Sequence, residues 1–226
     1  MSSYGQFCPV AKAMEVLDER WTLLVVRELL TGSTRFNELR RGNPRMSPAL
    51  LSKRLRTLER VGVVRREMVG SHASYALTES GEELRGIVMA LGVWGVRWVG
   101  ELGDQDLDPH LLMWDMKRSV PVEEWPRSRT VVNIRFDDVP ARVARWWLVG
   151  APGVDGVEVD ICDFDPGFET TAAVRTSLRA LTEVWRGDRS WDQAIGDSSL
   201  VVDGPTEVRR ALPRWVGQGQ FSTVAR

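Results

Sequence analysis

Cysteine and histidine are nearly missing from this 226-residue chain. Cys8 and Cys162 are the only thiols. Two thiols so far apart supply neither a disulfide framework nor a structural zinc site, although their spacing leaves a single bridge open. The only histidines, His72 and His110, have no Cys, Asp or Glu at metal-ligand spacing. There is no G-x-S-x-G turn and no glycine-rich phosphate loop. Asp160, Asp163, Asp165 and Glu169 lack the ligand spacing and central glycine of a calcium loop, so they read as a solvated acidic turn. No apolar run approaches the roughly 18–20 residues of a membrane span, and no cationic start leads into a secretory apolar core. The expectation is a soluble, cytoplasmic, non-enzymatic protein with no cofactor, no metal and no membrane partner. An enzyme acting in a C-terminal pocket is the alternative from another class.

What is present is a strong local bias of charge. The net charge is only −1, yet residues 1–100 carry +5 and residues 101–226 carry −6. Residues 35–78 alone hold ten Lys/Arg against three Glu. A positive half beside a negative half suits a module that contacts a polyanion, joined to one that does not. Length allows one domain or two, and 43% hydrophobic residues are enough to build cores.

The basic stretch also has an organised pattern. Pro9 can open a helix running to Leu17, and Trp21–Leu30 has an amphipathic period ended by Thr31-Gly32-Ser33-Thr34. Phe36 and Leu39 anchor a short helix, followed by the connector Arg41-Gly42-Asn43-Pro44. Ser47 suits an N-cap and Pro48 a first helical residue, with Gly62 placed to terminate a helix that runs to Val61. At about 100° per residue, Leu51, Leu55 and Leu58 share one face, while Ala49, Ser52, Lys53, Arg56 and Arg60 lie opposite. Val63–Met68 and Ser74–Leu77 alternate as a hairpin around residues 69–73.

Two helices, a turn and a hairpin offer one helix to a DNA major groove and a loop to the neighbouring backbone. Ser47, Ser52, Lys53 and Arg56 are assigned to base edges or nearby phosphates. Arg54 and Arg60 are assigned to the backbone, with bracing of the fold as the alternative for Arg54. Arg65, Arg66 and His72 are wing candidates. The bland alternative is a solvated basic face.

Residues 7–98 resemble the HxlR-type family of bacterial winged-helix regulators, relatives of the MarR group. The match runs through Cys8-Pro9, Trp21-Thr22-Leu23-Leu24, Leu29-Leu30, Arg35-Phe36-Asn37-Glu38-Leu39, Ser47, Leu51, Arg54-Leu55 and Leu58-Glu59. It continues through Gly62-Val63-Val64-Arg65-Arg66 and Tyr75-Ala76-Leu77-Thr78-Glu79-Ser80-Gly81. The resemblance implies a homodimer on an inverted repeat of double-stranded DNA. It also implies dimer contacts from the N-terminal segment and the last helix, here Ser80–Glu101. Cys8, Leu84, Leu91, Trp94 and Trp98 are the candidate dimer residues. Cys8 has two readings, a thiol that senses oxidants and a small apolar residue at the dimer surface. Gly70-Ser71-His72-Ala73-Ser74 departs from the family's frequent proline before the tyrosine-bearing strand.

The expected architecture is α+β: a winged helix-turn-helix domain over 1–101, a connector over 102–129, and a small α+β domain over 130–226. For the last, strands are expected at 130–136, 156–163, 168–171 and 199–202. Helices are expected at 139–148, 172–185, 191–195 and 207–215. Residues 130–216 resemble the sterol carrier protein fold through Val159-Asp160-Ile161-Cys162, the helical stretch 172–184, Trp191-Asp192-Gln193-Ala194-Ile195 and Leu200-Val201-Val202-Asp203-Gly204. That resemblance implies a small apolar ligand. Composition points to Trp146, Trp147, Phe168, Trp185, Trp191 and Trp215 as pocket residues, with ordinary core packing as the alternative for each. A pocketless domain that recruits a partner, on an architectural DNA-binding protein, is the alternative for the whole.

Overall fold

The computed structural model describes residues 3–154 and 156–225. The chain divides into two compact units, with the boundary between Gly95 and Val96.

The first unit is built from α1 (Pro9–Leu17), α2 (Thr22–Leu30), α3 (Phe36–Arg41), α4 (Pro48–Arg60), the hairpin β1 (Val64–Val69) and β2 (His72–Leu77), and most of α5 (Glu79–Trp98). The start of α4 follows its local chemistry. The Ser47 Oγ accepts the Leu50 N–H at 3.3 Å, Pro48 occupies the first turn, and Gly62, just past the helix, takes a φ of +77°. Leu51, Leu55 and Leu58 are buried with Val25, Val26, Leu29, Leu39, Val64 and Leu77. Each such side chain contributes about 1.5–3 kcal/mol of transfer free energy.

Helix α2 begins one residue later than its apolar period suggests. Trp21 has a φ of +79°, a left-handed conformation that keeps it outside the helix as its N-cap. The hairpin is tighter than expected. Val69 pairs with His72, so Gly70-Ser71 is a two-residue loop, made possible by the positive φ of Gly70 at its first position. His72 and Ala73 therefore lie in β2 rather than in a five-residue loop.

The second unit contains α6 (Pro109–Ser119), strands β3 (Thr130–Phe136), β4 (Arg145–Pro152), β5 (Val157–Cys162), β6 (Ala172–Thr176) and β7 (Leu200–Asp203), and helices α7 (Leu178–Arg186), α8 (Trp191–Gly196) and α9 (Thr206–Val216). The sheet order is β5-β4-β3-β6-β7, with β3 and β6 parallel and the other pairs antiparallel. Its inner face buries Val132, Ile134, Phe136, Trp146, Leu148 and Val174 against the helices. Residues 102–129, expected as a connector with a short helix, contain α6 and add Leu112, Met113, Met116 and Trp125 to this core.

Two helical expectations fail here. Residues 139–148 form a 3-10 turn (Ala141–Val143) and the start of β4. That stretch sits between β3 and β5, whose ladders take up its peptide groups, and its Trp and Val residues suit a pleated surface. The expected helix from 172 begins only at Leu178, where Ser177 Oγ accepts the Ala180 N–H at 3.0 Å. Residues 172–176 form β6 instead, with buried residues at 172, 174 and 176, and the strand expected at 168–171 is displaced to them. Parallel pairing with β3 decides this, and no local periodicity announces such a partner.

Candidate nucleic-acid interface

The helix that would read DNA is held from behind and left open in front. Leu51, Leu55 and Leu58 lock its inner face. Lys53, Arg56 and Arg60 are exposed, at i, i+3 and i+7 of one stripe, and Ser52 is half-buried beside them. Ser47 is exposed while its hydroxyl caps the helix. A cationic stripe on a rigid, capped helix presents its charges without backbone rearrangement, which keeps the ordering cost of binding low.

Arg54 does not belong to that stripe. It is 8% exposed, its Nε–H donates to the Arg20 carbonyl at 3.0 Å, and its guanidinium pairs with Glu19. The assignment of Arg54 to the DNA backbone is corrected to bracing of the fold. Its position in the 51/54/55/58 row already placed it on the core face; the charge drew the assignment outward. Arg54→Ala is expected to cost about 2–3 kcal/mol of first-unit stability, since it strips charged hydrogen bonds from a buried site. Lys53→Ala should stay within about 0.5 kcal/mol. Thermal melts of the two variants check the contrast.

A second polar clamp holds the turn between α3 and α4, and sequence reasoning missed it. Glu28 is completely buried. Its Oε1 accepts from the Arg27 guanidinium at 2.7 Å, and the same guanidinium donates to the Gly42 carbonyl at 3.0 Å. Asn43 Nδ2 donates to the Leu39 carbonyl at 3.0 Å. A Cβ on Gly42 would stand 1.8 Å from Glu28 Oε2, so the turn needs glycine for space rather than for φ. The available signal was a glutamate occupying a core position of the amphipathic α2 period. Glu38 completes the unit by accepting the Thr34 and Arg35 N–H groups at 2.9 Å, which starts α3.

In the hairpin, Arg65 and Arg66 point to opposite faces, as adjacent strand residues must. Arg65 is partly tied down, with its Nε 2.6 Å from Glu67 Oε1. Arg66 and His72 are exposed, the latter with Nδ1 3.0 Å from Ser71 Oγ. The hairpin is anchored by the Arg35–Ser74 bridge and by the Tyr75 N–H donating to the Thr34 carbonyl at 2.8 Å.

Of the candidate dimer residues, Leu84 is half-buried against the first-unit core. Leu91, Trp94 and Trp98 are 48%, 57% and 73% exposed. With Ile87 they form one stripe along α5. Cys8 is a half-buried free thiol preceding α1. Cys162 is also free, and burial, followed by the nearby carboxylates of Asp160 and Asp163, pushes its thiol pKa up.

The six aromatic pocket candidates do not share one wall. Trp146, Trp185, Trp191 and Trp215 lie in the second-unit core. Trp147 is buried but points to the opposite sheet face from Trp146. Phe168 is 40% exposed and lies 4.1 Å from the Arg129 guanidinium. Among the described residues, no group of three His, Cys, Asp or Glu is placed to hold a metal ion.

Residues 16–102 match the model of the HxlR-like helix-turn-helix family. The HTH-type transcriptional regulator YvaP of Bacillus subtilis is 37% identical over 99 residues, which cover 42% of this chain and 92% of that protein. The chain belongs to the HxlR family. A second relative, the HTH-type transcriptional regulator Rv3095 of Mycobacterium tuberculosis, is 42% identical over 91 residues, covering 38% of this chain and 56% of its own length. Among solved structures, the reduced form of the transcriptional regulator YodB from B. subtilis is 30% identical, covering 44% of this chain and all of that one with a TM-score of 0.37. As an HxlR member the protein is a DNA-binding transcriptional regulator rather than an enzyme, with an N-terminal helix-turn-helix unit followed by a mixed α+β unit. Among the described residues, no helix is long and apolar enough to cross a membrane.

Proposed function

We propose that the protein acts in the cytoplasm as a homodimer on an inverted repeat, with α4 of each copy in the major groove and the β1–β2 hairpin against the adjoining backbone. The observation that carries this is the open Lys53/Arg56/Arg60 stripe on a helix pinned from behind. Ser47, Ser52, Lys53 and Arg56 take base edges and the nearest phosphates, and Arg60 takes the backbone. Arg65, Arg66 and His72 serve the wing. Genome-fragment selection with purified protein is expected to return one palindromic operator, bound well above random DNA. Weak, salt-sensitive binding to every fragment would overturn sequence-specific recognition and leave an architectural role.

In this reading residues 1–101 bind DNA and dimerise, and 130–226 take a ligand, with the segment 102–129 packed into the second unit's core through α6 and Trp125 rather than serving only as a connector. The dimer reading is supported by the apolar α5 stripe and by Phe7 and Val10 before and within α1, 99% and 70% exposed; solvent contact over so many large apolar groups is costly. Leu91→Glu with Trp94→Glu is expected to give a folded monomer by light scattering. Operator affinity should then fall roughly a hundredfold, because the second half-site is no longer tethered. A variant that stays dimeric would remove α5 from the interface.

The ligand reading gives the second unit a sterol-carrier-like architecture that encloses a small apolar molecule. The α7-α8, β7, α9 ending has the helix–strand–helix order of that fold. Trp191 adds a chemical reason: its indole Nε1–H is buried and has no hydrogen-bond partner among the described residues, whereas Trp125, Trp146 and Trp185 each donate to an oxygen at 2.6–2.8 Å. A ligand oxygen satisfies the remaining donor. Occupancy alters transcription only insofar as the ligand favours one DNA-binding state over the other.

A further inference from the structure

The outer face of the C-terminal sheet carries three arginines abreast. Arg135 on β3 is the register partner of Arg145 on β4 and of Arg175 on β6. Directly opposed residues share a face, and neighbouring strands lie about 4.8 Å apart, so the three side chains start from a row about 10 Å long. Their neighbours Ile134, Phe136, Trp146 and Val174 turn into the core, which fixes the arginines outward. Arg135 and Arg175 are 53% and 65% exposed, and Arg145 is exposed as well.

The row is undercompensated. Asp137 lies 3.2 Å from Arg135 Nε and 3.3 Å from Arg175 Nε, and Arg145 has no ion-pair partner among the described residues. Among the described residues, one carboxylate thus serves two of the three guanidinium groups and the third has none. Like charges on opposed strand positions destabilise a sheet, and this row stands in the half of the chain whose net charge is −6.

We propose that Arg135, Arg145 and Arg175 form a second DNA-contacting surface, which grips the phosphate backbone beyond the half-sites read by the winged helix. Guanidinium groups match phosphate oxygens bidentately, and such contacts position a protein without reading sequence. Duplex DNA is favoured over an acidic protein because guanidinium groups in a row complement the evenly spaced phosphates of a duplex, and the same chain already carries a DNA-binding unit. The proposal rests on the DNA-binding role of the first unit.

The test compares the full chain on two duplexes: the selected operator alone, and the same operator with long flanks. For the wild type, the long duplex should show tighter binding and a log K against log salt slope steeper by about 1–2, at roughly 0.9 per phosphate contact. R135Q/R145Q/R175Q should lose that length preference, binding the long duplex several-fold more weakly while matching the wild type on the operator alone. D137N, which removes the shared carboxylate, should move the other way and tighten long-duplex binding. Because D137N keeps all three arginines, it tests the surface even if the triple variant proves unstable. Equal affinity and slope for wild type and D137N on the long duplex, or a length preference retained by a folded triple variant, would overturn the surface. Loss of binding to the short operator by the wild type would instead overturn the first unit's reading.

Discussion

Operator affinity of the Lys53→Ala/Arg56→Ala variant is expected to fall roughly 30- to 20,000-fold at moderate salt. Each contact of this kind contributes about 1–3 kcal/mol, and 1.4 kcal/mol is tenfold in affinity. Both side chains are exposed on the α4 stripe and outside the buried row, so stability should change by no more than about 0.5 kcal/mol each. If either side chain meets a phosphate, the salt slope also becomes shallower by about 1 for that contact. Fluorescence anisotropy at several salt concentrations, beside a thermal melt, separates the two quantities. Unchanged affinity with an intact fold would remove this face of α4 from the interface.

The largest effect on stability is expected from Gly42→Ala. A methyl group there would overlap the Glu28 carboxylate, which cannot retreat because the side chain is wholly buried and held by Arg27. Overpacking at such a site costs about 3 kcal/mol, which for a unit of this size lowers the melting temperature on the order of 15 °C. Specific DNA binding should be lost near that temperature, because the turn sets α4 against α3. Glu28→Ala removes the obstacle, so E28A/G42A should be less destabilised than the two single variants combined. Strict additivity would mean that the clash is not the cause.

Much of the first unit was legible because its signals are local. Ser47-Pro48 before an apolar i, i+4, i+7 row, with Gly62 beyond it, places α4 without reference to anything distant. The basic face followed from the same helical spacing. Arg54 was misplaced because charge type was allowed to outweigh helical position. The packing of Gly42 against Glu28 went unnoticed because a glycine in a turn and a glutamate in a helix look ordinary until a Cβ on Gly42 is found to fall 1.8 Å from the carboxylate.

The second unit divides more sharply. Strands β3, β5 and β7 and helices α8 and α9 stand close to their apolar patterns in the sequence. Residues 139–148 and 172–176 do not, since tryptophan, valine and alanine there fit either a helix or a strand. Their state was settled by hydrogen-bonding partners outside the stretches themselves: the neighbouring strands β3 and β5 for β4, and the more distant β3 and β7 for β6. The arginine row has the same origin, because residues 135, 145 and 175 become neighbours only through strand register. Sequence alone determined the capped recognition helix, its cationic stripe and the family, all of which depend on contacts within a few turns of chain. Tertiary structure decided which arginine is buried, which tryptophans enter the core and which charges stand side by side, because burial and sheet register belong to partners that local spacing does not contain.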